Sequence, residues 1–277
     1  MTDYASAQPV AAPPKRARNW LSLSAKTWFV VTAIGQWLFV LYIMGFYGTR
    51  FVNGGVAGFA DTHLPNGYVE GDTVGNIAIV THILVAGLII AAGQLQLIPA
   101  IRAKAPRLHR WAGRFYMVAS VAVSIAGAYL VWSRERVIGS FIQDVALTLD
   151  GVLVVVFAYL AYKYARQRDF AAHRRWALRL FMVVSAVWFL RLMIFGWFAA
   201  TGGVGIDAET FSGPFLYITA FAQYLLPLLV LEVYFRAERP QNKAMRPHVA
   251  GLVFVMTGLM AFGIAVVSAG LWIPRVF

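Results

Sequence analysis

The sequence contains no cysteine in 277 residues. Disulfides, thiolate zinc sites and Fe–S clusters are therefore excluded. It is also poor in charge, with Asp, Glu, Lys and Arg making up only 13% of the chain. The charge present is lopsided, 24 basic residues against 12 acidic ones. No HExxH, GxGxxG or Walker A stretch is present, so the usual signatures of zinc peptidases, dinucleotide enzymes and P-loop NTPases are missing.

What fills the chain instead is apolar: 60% of residues are hydrophobic and mean hydropathy is +0.67. No soluble globular domain of this length has that composition, whereas a polytopic membrane protein does. Seven apolar runs are each long enough to span a bilayer, at 27–47, 74–98, 112–133, 142–163, 177–198, 213–235 and 249–273. The fold class expected is all-α, a transmembrane bundle of seven helices. The net charge of +12 does not point to nucleic acid, because the basic residues gather in short loops between the runs. The tail, 99–114, 163–179 and 236–246 hold 19 Lys and Arg, and the alternate loops with the C-terminus hold only Arg50, Arg134, Arg136 and Arg275. The positive-inside rule then places the N-terminus in the cytoplasm and the C-terminus outside. Residues 1–26, with Pro9, Pro13, Pro14 and four basic residues, read as a disordered cytoplasmic tail that lies on anionic lipid near Trp20. The membrane domain is 27–277, with 74–198 as its expected core and helices 1, 6 and 7 at the periphery. The Gly-rich loop 48–73, which contains His63, is the longest external segment. Pro227 should kink helix 6, and small residues at Ala78, Ala86 and Gly93 and at Ser120, Ser124 and Ala128 should let helices 2 and 3 pack closely.

Two stretches organise this core. Arg107 to Tyr116 reads RLHRWAGRFY and His173 to Phe181 reads HRRWALRLF. Each stands where a basic loop becomes an apolar helix. Helices 2–3 and 4–5 thus form a parallel repeat of inward helix, basic loop and outward helix. With THILVAGLIIAAGQLQLIP at 81–99, LHRWAGRFY at 108–116, the aromatic helix 4, and HRRWALR followed by Arg191, the chain resembles a bacterial membrane-protein family, domain of unknown function 2306. The resemblance covers about 81–198, with Ala177 and Leu178 as a mild departure in the second motif. It implies a multi-pass protein of the bacterial inner membrane and names no activity.

Ionisable residues at membrane depth are costly and mark function by default. His82, Asp150 and Arg191 each stand about seven or eight residues inside their spans, at one level of the outer leaflet. An Asp150–Arg191 pair with His82 beside it is one expectation. It reads either as a structural ion pair or as a site for a small ligand or a proton. Gln36, Gln94, Gln96 and Gln223 are candidates for bridging helices, and Glu232 for pairing with a loop arginine. At the inner side, His109, Arg110 and Arg114 face His173, Arg174, Arg175 and Arg179 across the repeat. One reading is lipid phosphate binding, with the bilayer and its anionic head groups as the partner. The other is haem b, with His109 and His173 as axial ligands and the arginines on the propionates, an arrangement similar to that of the ascorbate-reducible b-type cytochromes.

Overall fold

The computed structural model describes residues 19–62, 67–134 and 139–277. His63 lies outside them, as do residues 1–18 of the expected tail. The described chain is helical: α1 (Trp20–Tyr42), α2 (Thr49–Gly54), α3 (Thr73–Leu97), α4 (Pro99–Lys104), α5 (Pro106–Ser133), α6 (Phe141–Arg166), α7 (Phe170–Val184), α8 (Ala186–Thr201), α9 (Pro214–Glu238), α10 (Arg246–Val267) and α11 (Ile273–Val276). Two π-helical turns, Ile43–Gly48 and Ser268–Trp272, extend α1 and α10. Among the described residues, six helices are long and apolar enough to cross a bilayer, and α7 with α8, bent by 48° at the break, together pass the same test of length and composition.

Helix starts follow local chemistry. Asn19 caps α1 through its side chain, accepting from Ser22 N at 3.2 Å. The first helix therefore begins inside the stretch expected to be a disordered tail. Pro106 stands at the start of α5 and leaves no donor unsatisfied there. Asp72 caps α3 by accepting from Gly75 N at 2.8 Å and also receives Arg134 Nε at 2.9 Å. The Gly75 N–H, and then Arg134, hold the Asp72 carboxyl below its ordinary range.

Two expectations about the spans need correction. The fifth run reads as one helix over 177–198, but the chain breaks at Ser185 into α7 and α8. Around the break Leu180, Phe181, Val183, Ser185, Ala186 and Trp188 are all buried, which covers every face of the helix. The broken span is thus the centre of the bundle. Helix 1 is not peripheral either. Gln36 of α1 donates to Ser185 Oγ at 2.9 Å and accepts from Gln94 of α3, and all three residues are buried. α1 therefore links the two halves of the expected repeat. Pro227 sits inside an unbroken α9.

Close approach at small residues sets the packing. α3 packs along α5, where a Cβ on Gly93 would lie 2.8 Å from Tyr116 Cε2. α8 crosses α10 at Gly263, where a Cβ would lie 2.8 Å from the Leu192 carbonyl oxygen.

Candidate functional site

At the basic end, α5 and α7 present their histidines one turn in, His109 and His173. The His173 ring sits against α6, with Nδ1 2.9 Å from the Ala161 carbonyl oxygen. A carbonyl only accepts, so Nδ1 carries the proton and Nε2 is left with a lone pair. His109 is the reverse. With Gln96 Oε1 accepting from Gly113 N at 3.1 Å, the Gln96 amide donates to His109 Nδ1 at 3.0 Å and to the His109 carbonyl at 3.2 Å. The proton of the neutral His109 ring then sits on Nε2. The pair offers one N–H and one lone pair, and two axial ligands would need two lone pairs.

Both histidines line a cavity of about 2300 Å3 that runs between the helices. Its lining on α9 extends from Phe215 to Tyr234, about 29 Å at roughly 1.5 Å per residue, close to the thickness of a bilayer's apolar core. Leu180, Phe189, Leu192 and Leu231 are among its apolar walls. Every charged residue that lines it is a cation at the basic end: Lys26, Arg102, Arg110, Arg114, Arg166 and Arg174. Arg174 is neutralised by a two-fold bond to Glu238, at 3.1 and 3.0 Å. Arg102, Arg110, Arg114 and Arg166 have no acidic partner among the described residues. Arg175 and Arg179 do not line the cavity. Arg179 Nε bonds Glu232 at 2.6 Å, and Arg175 lies 5.5 Å from the Phe235 ring centre.

The three intramembrane groups lie away from this cavity and are not one cluster. Asp150 is buried, has no hydrogen bond to its Oδ1 among the described residues, and interacts electrostatically with Tyr224 of α9. Arg191 turns the other way, donating to the Val187 carbonyl at 3.0 Å and standing 5.1 Å from the Phe39 ring centre. His82 lies beside Val123 and Gly127 of α5, in electrostatic range of Arg191, and its Nδ1 has no partner among the described residues. Counting along helices estimates depth, but depth does not fix which helix face meets which. No Asp150–Arg191 ion pair forms. The stability effects of Asp150→Asn and Arg191→Ala should therefore add within about 0.5 kcal/mol in a thermal double-mutant cycle, and a coupling above about 1 kcal/mol would restore the pair.

The described residues include no cluster of three metal-ligating side chains. Residues 79–210 match the family model described as Predicted membrane protein (DUF2306). This part of the chain is similar to that family of predicted membrane proteins. The match agrees with the resemblance carried by the two His-Arg motifs and extends it slightly at both ends. The matched residues include His82, His109, Asp150, His173 and Arg191, while Gln36 of α1 and Tyr224 of α9 come from outside the match. No curated protein and no solved structure matches the chain.

Sequence reasoning missed the Gln96 bond to His109, the Ala161 carbonyl behind His173, and the tyrosines around Arg191. Gln96 was visible only as one of four amides. The carbonyl has no sequence signal at all.

Proposed function

We propose that the protein binds an amphiphile with an anionic head group, with the head at the basic rim and the chain along the apolar walls. One observation carries this reading: the charged lining of the cavity is cationic, gathered at one end, and includes no carboxylate. An apolar chain gains from leaving water or competing lipid, and the rim arginines supply fork-like donors to a phosphate or carboxylate. The cavity also exceeds the roughly 300–1,000 Å3 usual for drug-sized ligands, which suits a long chain. In this reading the basic end faces the cytoplasm of a bacterial inner membrane, where positive charge collects.

The haem reading has less support. Gln96 favours the His109 tautomer protonated on Nε2, which would have to shift before iron could bind there, and on the amphiphile reading the purified protein shows no Soret band.

The test is thermal unfolding in a neutral detergent with added phosphatidylglycerol or phosphatidylcholine of identical chains. The anionic lipid should raise Tm more. Arg110→Gln with Arg114→Gln should weaken that response about tenfold, the equivalent of about 1.4 kcal/mol. An equal response to both lipids would overturn the proposal.

A further inference from the structure

The opposite end of the bundle holds an arrangement of donors that nothing described so far uses. The π-helical turn Ile43–Gly48 bonds its backbone five residues apart, which brings Tyr42 and Tyr47 onto one face. Their hydroxyls are 3.5 Å apart and both side chains are buried. Arg275 of α11 reaches the pair, with Nη1 3.3 Å from the Tyr42 hydroxyl. Gly45 permits this approach, because a Cβ there would lie 2.8 Å from Val276 Cγ1.

The direction of these bonds matters. Arg275 can only donate, so Tyr42 accepts from it and gives its own proton to Tyr47. The Tyr47 O–H is then left without an acceptor among the described residues. Arg191 of α8 is in electrostatic range of both phenols. It makes one hydrogen bond, back to Val187, and so does not extend outward toward water as a snorkelling arginine does. Close by, the buried Trp272 indole, 5.0 Å from Phe39 between ring centres, also has a donor N–H without a partner among the described residues.

Neither Arg191 nor Arg275 is paired with a carboxylate among the described residues. A guanidinium held within a span with no counter-charge is costly, and the positive charge of the exposed Arg275 beside the same phenols adds repulsion. The group that would satisfy this constellation is negative and brings acceptor oxygens. We propose that Arg191, Arg275 and Tyr47 form an oxyanion site, for a phosphate or carboxylate group, entered past the exposed Arg275. The fork of a guanidinium matches such a group better than it matches a halide. This site is separate from the basic-rim cavity, since neither arginine lines that cavity.

The experiment is thermal unfolding in dodecyl maltoside at constant ionic strength, exchanging chloride for inorganic phosphate. A second arm adds phosphatidic acid to the micelles of an Arg110→Gln, Arg114→Gln protein, so that the basic rim does not answer. One or both arms should raise Tm by roughly 3 °C once the site is filled. Arg191→Gln should abolish the shift, Tyr47→Phe should reduce it, and Arg191→Lys, which retains charge but loses the fork, should keep part of it. A response to inorganic phosphate identifies a soluble oxyanion as sufficient, and a response to the lipid arm alone identifies a lipid head group. A shift that persists in Arg191→Gln, or no shift in either arm, overturns the site.

Discussion

Gly263→Val is expected to destabilise the bundle by about 3 kcal/mol, lowering Tm by roughly 5–10 °C. A Cβ at this position would stand 2.8 Å from the Leu192 carbonyl oxygen and 2.9 Å from Leu192 Cβ. The obstacle is backbone, which cannot rotate out of the way as a side-chain tip can. α10 must move off α8, and α8 is the outer half of the central broken span. In a membrane the helices gain little from the hydrophobic effect between themselves, so loss of close packing is not readily compensated. Gly258→Val is the control, because nothing lies within 4 Å of its Cβ position on the same helix. Unfolding of both variants in detergent checks this, and equal loss in the two would mean that helix propensity rather than the crossing sets the effect.

The second large effect is expected at Gln36. Its side chain joins Gln94 on α3 to Ser185 at the break, in a fully buried setting. Gln36→Ala removes a donor and an acceptor together and leaves a void. An unpaired buried polar group costs about 1–3 kcal/mol, and the lost volume adds to it, so a loss of about 3 kcal/mol is expected. Gln36→Leu preserves volume but strands the Gln94 amide. Adding Gln94→Leu removes that stranded group, so the double leucine variant should be more stable than Gln36→Leu alone. If it is instead less stable by the sum of the single losses, the amide chain is not what holds α1 to the broken span. Released from Gln36, Ser185 also loses one reason to stay at the bend, and the cavity walls on α7 and α8 would loosen with it.

The spans were legible because about 20 apolar residues in a row have few other uses. Their number, the basic loops and the two His-Arg motifs all came from that pattern. The break at Ser185 was not legible, since no proline or glycine stands at it and a single serine in a run otherwise interrupted only by Arg179 and Arg191 does not by itself mark a bend. The partner that meets Ser185 there is an amide on a helix more than a hundred residues away in sequence. The start of α1 at Trp20 was obscured by Lys26 and the serines around it, although Asn19 was a readable cap. Depth along a helix could be counted, which is why His82, Asp150 and Arg191 were placed at one level. Neighbours across helices could not, and Asp150 met Tyr224 while Arg191 met Phe39. Tyr42 and Tyr47 escaped notice because a spacing of five does not share a face in an ordinary α-helix. The π-helical turn that aligns them has no signature in composition.

The central claim is that the cavity holds one anionic amphiphile inside the bundle, beyond whatever lipid surrounds it. Native mass spectrometry of protein released gently from its own membrane measures this directly. Met117 lines the cavity, and Met117→Trp would narrow it without touching a charge. The wild-type protein should carry a single anionic lipid-like mass that survives activation, and Met117→Trp should lose it while keeping its Tm within about 2 °C of the lipid-stripped wild type. An adduct retained equally by Met117→Trp, or a wild-type protein with no retained anionic mass, would contradict the account.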